Sequence, residues 1–148
     1  METEKRLKML QLFYAGVLAD SVRRYSEAGI LADVEAQKEK EQKMAAKGQL
    51  AQLRITDPSG IFNVFSEVFG CISWNIEETE EKLTARGHSC LLCAIAKKMN
   101  LPKPCNIYCI NPVRAQVESL DGGYSLIVES TLWESNKCEF VVFHFVCI

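Results

Sequence analysis

Four cysteines fall within twenty residues, Cys90, Cys93, Cys105 and Cys109, and His88 stands two positions before the first of them. Cys138 lies further on, and Cys71 and Cys147 complete a set of seven. Thiols in this pattern allow three chemistries. The first is nucleophilic or acid–base work. A cysteine in the first turn of a helix meets unpaired backbone N–H groups and the positive end of the helix dipole, both of which favour a thiolate. Cys90 is placed for that, and His88 could add positive charge or take the proton. The second is metal binding, since Cys90-x-x-Cys93 and Cys105-x-x-x-Cys109 have the spacing of paired ligands. Against it, zinc ribbons set each pair on a Gly-rich turn, whereas Cys93 falls inside a helical pattern. The third is structural, because a buried cysteine behaves as a small hydrophobe. Cys71, Cys93 and Cys147 fit the structural reading. Cys90, Cys109 and Cys138 fit a functional one, as three thiols at the ends of elements.

Other residues carry weaker signals. Asn111 precedes Pro112 and suits a helix cap, and it is also a candidate to contact a substrate. Trp74 and Trp133 read as packing residues, with Trp133 in addition the aromatic candidate for a ligand. His144, in Val-Phe-His-Phe-Val, reads as a satisfied core histidine. The chain has no Gly-rich phosphate loop, no serine elbow and no two-histidine zinc motif.

The elements that must position these residues follow from periodicity. Residues 3–28 predict a helix, with Leu10, Phe13, Tyr14 and Val17 forming one apolar face and Gly29 as the stop. A second helix, about 31–47, is rich in Ala, Glu, Lys and Gln. Its apolar face is thin, so it is expected to be largely exposed or to pack on a partner chain, and the run Lys38 to Lys43 reads as a solvated face. Asp57-Pro58-Ser59-Gly60 is turn chemistry ahead of a short helix, 59–69, ended by Gly70. Cys71 to Ile76 and Lys82 to Arg86 alternate as strands. A helix is expected from about Ser89 to Met99, capped by Ser89 or His88 and stopped by Pro102 and Pro104. Another opens at Asn111 and ends by Asp121-Gly122-Gly123. The last hairpin pairs Tyr124–Trp133 with Cys138–Val146, and the second of these strands is apolar on both faces, as a central strand would be.

The fold class expected is therefore α+β: a helical N-terminal part packed on an antiparallel β-sheet, with two further helices between the β-hairpins. The 148 residues suit a single domain, 1–50 a helical extension and 51–148 an α+β ligand-binding core. A chain of this length needs no disulfide or metal to hold it, and none is required by the sequence; a divalent metal at the cysteine cluster stays open as one reading. The net charge is −2 and the pI about 5.8, with no basic stripe, so nucleic acid is not an expected partner. No apolar run approaches the roughly 18 residues that span a bilayer, so no membrane partner is expected either. The charged start, Met1 to Lys8, is unlike a secretory leader, which points to the cytoplasm and to free thiols.

The second half, about 61–142, resembles a bacterial and archaeal family of L-2-amino-thiazoline-4-carboxylate hydrolases. The matching features come in order: Phe69-Gly70 before a strand, His88-Ser89-Cys90 opening a helix, Cys109-Ile110-Asn111, and a hairpin with Thr131-Leu132 and Cys138-Glu139-Phe140. That family is similar in fold to the 4-vinyl reductase, transport-particle and haem–nitric-oxide-binding domains. The resemblance implies hydrolytic opening of a cyclic thiazoline, with Cys90, Cys109 and Cys138 as catalytic candidates. The chain departs from the family at Leu91, where a proline is frequent, and at Asn111, where an aspartate is usual; asparagine is no general base. The alternative is a non-catalytic module that binds a small molecule or metal and dimerises through its N-terminal helices.

Overall fold

A computed structural model describes residues 1–144; Cys147 and the last two residues of the expected final strand lie outside the described residues. The order is α1 (Thr3–Glu27), α2 (Leu31–Leu53), α3 (Pro58–Val64), β1 (Asn75–Glu78), β2 (Lys82–Gly87), α4 (Leu91–Lys98), α5 (Asn111–Ser119), β3 (Tyr124–Ser130) and β4 (Cys138–His144), with five-residue π-turns at Phe65–Phe69 and Asn106–Ile110. The four strands form one antiparallel sheet in the order β1-β2-β4-β3. This is the α+β class expected, and β4, apolar on both faces, is central as read. No described helix is long and apolar enough to cross a membrane.

Strand register decides which side chains face the core. Leu83 pairs with Val142 and Ala85 with Phe140 on β2–β4, and Leu126 pairs with Val142 and Val128 with Phe140 on β3–β4. These residues share one face, since successive side chains alternate. Against it pack Ile61 and Phe62 of α3 and Val113 and Val117 of α5. Phe62, Trp74 and Phe140 meet edge-on and tilted, with ring centroids 5.3 Å (Phe62–Trp74) and 4.9 Å (Trp74–Phe140) apart. The packing role read for Trp74 follows from this. On the opposite face Arg86 bridges Glu77 at 2.9 Å and Glu139 at 2.7 Å, an exposed cross-strand ladder that contributes little.

α1 departs from its reading. Leu10, Phe13 and Val17 are 65, 64 and 64% exposed, and the buried face is Ala15, Ala19 and Val22. At 3.6 residues per turn the two stripes lie on opposite sides of the helix. The small stripe wins the interior because alanines let α1 lie close on α4; among the described residues the large stripe stays mostly exposed, with Val17 reaching the rim of the hollow between α1 and α2. α2 runs on to Leu53, six residues beyond its expected end, because Ala46 and Leu50 bury their side chains and α2 packs along α5.

Two helix starts also differ. α4 is capped by Cys90, in extended conformation, rather than by Ser89 or His88. Asn111 caps nothing: it sits at φ −64° and ψ −45° in a helix that already began at Cys105 and reached it through the second π-turn. Pro112 explains the wide turn. It has no N–H for the carbonyl of Tyr108, and the Asn111 N–H bonds back to Asn106 instead. His144, read as a core histidine, is exposed at the end of β4 and stacks on Tyr124 with centroids 4.6 Å apart.

Candidate ligand cavity

A hollow of about 640 Å³ lies between α1, α2, the two π-turns and the core face of the sheet. Its walls are set by local chemistry. Gly70 ends the first π-turn at φ 66°, and a Cβ there would collide with Gln11, whose amide donates to the carbonyls of Glu67 and Val68 at 3.1 and 3.2 Å. This clamp fixes Phe65 and Phe69 as one wall, with Tyr14 stacked on Phe69 at 5.5 Å. Gly87 stands opposite Cys138 in the ladder, and a Cβ on it would lie 2.2 Å from Ile72. Its bareness lets the Cys71–Ile72 segment cross close above the sheet. The Leu91 N–H then donates to the Cys71 carbonyl at 2.8 Å, which joins this crossing to the start of α4.

All six described cysteines line the hollow, drawn from four segments: Cys71, Cys90 and Cys93, Cys105 and Cys109, and Cys138. The three thiols singled out together, Cys90, Cys109 and Cys138, thus face one space, and Cys71 and Cys93, read as structural, face it too. Cys93 and Cys105 Sγ atoms lie 3.6 Å apart. The Cys90 Sγ accepts the Cys93 N–H at 3.4 Å, and the Cys138 Sγ accepts the Leu132 N–H at 3.2 Å. No three His, Cys, Asp or Glu side chains among the described residues are placed to hold a metal ion, so the ligand-like spacings do not become a metal centre.

Electrostatics run against thiolates. The neighbouring Cys93 thiol, then burial, push Cys90 far above the ordinary thiol range. Cys93 is pushed up to about 12, first by its contact with Cys105, and Cys71 to about 11, first by burial. Burial also raises Cys109 and Cys138. The helix start does deliver one N–H to Cys90, as expected. A short helix and one amide do not offset desolvation and adjacent sulfurs. Apart from cysteine, the lining supplies no imidazole or carboxylate among the described residues.

The remaining candidates stand elsewhere. His88 is exposed and outside the hollow. Asn111 is half-buried in the helix and does not line it. Trp133 packs at the edge of the core beneath Lys97, whose Nζ is 5.5 Å from the ring centre, and does not line it either.

No family model matches the chain, and no curated protein is similar to it. Among solved structures, one match is a trafficking protein particle complex subunit 3 from Naegleria fowleri, covalently bound to palmitic acid. The TM-score is 0.56 at 12% identity, over 94% of this chain and 97% of that one. The two chains share a fold. The likeness in fold to transport-particle domains that the resemblance implied is therefore found, and membership of the hydrolase family is not.

Sequence reasoning missed the polar lining. Ser21, Lys38, Gln42 and Tyr108 gather at one end of the hollow. Lys38 and Gln42 are four apart on α2, a spacing that puts them on one face, but the alternating charges around them had marked that face as solvated. Tyr108 gave no signal, because the π-turn that rotates it inward is set by Pro112, downstream of it.

Proposed function

We propose that this protein is a non-catalytic binding module for a small apolar ligand, an acyl chain in particular, held in the thiol-lined hollow. One observation carries the reading: a cavity of about 640 Å³, walled mainly by aromatic, aliphatic and neutral thiol groups, stands open beside a tightly packed core. Its size falls within the roughly 300–1,000 Å³ of small-molecule sites. Each methylene moved from water into such a space contributes about 0.8 kcal/mol, so a long chain gains enough to bind without any reaction. The related fold bound to palmitic acid supports this choice of ligand. Hydrolysis of a heterocycle would need a base to activate water, and the described lining offers none. Raised thiols likewise disfavour attack by sulfur.

Calorimetric titration with palmitic acid tests the reading. The wild-type protein should bind reversibly with unchanged intact mass, and Cys109→Phe, which fills the hollow, should weaken binding at least tenfold. Failure of palmitic acid to bind at all would overturn it.

The reading includes a second copy of this chain as partner. Leu10, Phe13 and Val17 leave a large apolar stripe uncovered on α1, the kind of surface that marks an interaction site. Sedimentation should give the mass of a dimer, and Leu10→Glu with Phe13→Glu should return a folded monomer.

A further inference from the structure

The polar end of the hollow has a proton inventory that specifies a head group. Ser21 has one hydroxyl hydrogen, and it donates to the Leu18 carbonyl at 2.7 Å. The short contact between Ser21 Oγ and the Tyr108 hydroxyl must then use the tyrosine's hydrogen. Tyr108 Oη is left with lone pairs only. Gln42 donates its Nε2 to the Ile107 carbonyl at 3.3 Å, which fixes the amide orientation, since a carbonyl cannot donate. Its Oε1 is buried and meets no donor among the described residues. A buried acceptor without a partner is destabilising, which makes this atom a place where a ligand can supply what the chain does not. Beside both stands Lys38, half-buried, its Nζ 5.9 Å from the centre of the Tyr108 ring and without a carboxylate partner among the described residues.

The end of the hollow thus presents one cation and two acceptors, with the Tyr25 hydroxyl close by. A plain carboxylate answers the cation and leaves both acceptors unmet. A plain alcohol answers only an acceptor. We infer that Lys38, Gln42 and Tyr108 recognise an amphiphile whose acyl chain ends in an acid group with an N–H or O–H donor next to it, as in an N-acyl amino acid or a hydroxy acid. This rests on the reading of the hollow as an acyl-chain site and adds the ligand's polar chemistry. The acid oxygen meets Lys38, the adjacent N–H or O–H donates to Gln42 Oε1 or Tyr108 Oη, and the chain runs toward Phe65, Phe69 and the thiols.

Four probes with the same sixteen-carbon chain separate the two demands: methyl palmitate with neither group, hexadecanol with the donor, palmitic acid with the charge, and N-palmitoylglycine with both. Calorimetric or fluorescence-displacement titration should rank N-palmitoylglycine tightest, about tenfold or more over methyl palmitate, with the other two between. Lys38→Met should erase the advantage of the acids and keep that of the donors. Gln42→Met should do the reverse, with thermal unfolding of both variants close to wild type. Four equal affinities, or variants that leave the ranking unchanged, would overturn the head-group site while leaving the acyl-chain reading intact. If none of the four binds, both fall.

Discussion

Phe140 stands between two apolar regions that are filled differently. On one side Phe62, Trp74, Ile61, Val113 and Val117 close on it with little or no exposed surface. On the other, thiols and aromatic rings of similar hydrophobicity stand back around about 640 Å³ of space. Composition does not distinguish the two. Backbone geometry does: the packed side is built from α3, α5 and paired strands, whereas the hollow is framed by two π-turns, a clamped Gly70 and a helix, α1, docked through its small face. A hollow forgoes the dispersion contacts that the packed side enjoys, so its upkeep makes sense as room for a ligand.

The largest expected effect breaks the packed side. Phe62→Ala should destabilise the protein by about 3–5 kcal/mol, read from the midpoint of urea unfolding, because a rigid neighbourhood cannot collapse into the void. Cys109→Ala, on the hollow side, should lower stability by under about 1 kcal/mol, since part of its surface already borders empty space. Equal losses at the two positions would mean that the hollow is packed in solution. Filling it is the complementary experiment. Cys109→Phe should keep the free energy of unfolding within about 1 kcal/mol of wild type while weakening acyl-chain binding at least tenfold.

How far the sequence disclosed these regions follows the same division. The second strand and the final hairpin were readable from alternation, and the central place of β4 from its being apolar on both faces; the first strand, expected at Cys71–Ile76, forms only at Asn75–Glu78, because the Cys71 carbonyl and the Trp74 N–H bond to Leu91 and Ser66 instead of a neighbouring strand. The gathering of Cys90, Cys109 and Cys138 was readable because each sits at the end of an element, and ends of elements meet. The character of those thiols was not readable, because desolvation depends on what surrounds a sulfur and not on where it falls in a helix. The stripe that begins at Leu10 misled for a different reason at Leu10, Phe13 and Val17, though not at Tyr14, which packs on Phe69. Amphipathic period shows that a helix has an apolar face; it does not show whether that face meets its own chain or another. Ala15, Ala19 and Val22 were there to be read as well, but small residues bury without a strong periodic signal.

A smaller effect separates the regions by pH. Thiols are neutral in folded and unfolded chains alike below about 8.5. Above that the unfolded chain releases its thiol protons, while the native chain holds those of Cys71 to about 11 and Cys93 to about 12. The native state then binds more protons than the unfolded one, so stability falls as pH rises through this window. The slope is at most about 1.4 kcal/mol per pH unit for each thiol, and less for Cys71, which solvent partly reaches. Melting temperature measured from pH 8 to 11 should decline, and replacing Cys71 and Cys93 together by Ala should flatten the decline. An unchanged slope would mean that these sulfurs are solvated and that the hollow is wet.

The smallest effect bears on what Cys90 is for. It occupies the N-cap of α4, and its sulfur accepts the Cys93 N–H at a distance of 3.4 Å. A hydroxyl at that position accepts the same bond more strongly than sulfur, and serine is among the preferred caps. Cys90→Ser should therefore preserve or slightly raise stability and leave the affinity for an acyl chain unchanged. Cys90→Ala removes the acceptor and should lower stability by about 1 kcal/mol, again with binding intact. A nucleophile responds in the opposite pattern: serine and alanine would both abolish turnover or adduct formation, whatever they did to the helix. The pair of variants thus separates a thiol that shapes the hollow's rim from one that reacts within it, and the raised proton affinity of Cys90 favours the first outcome.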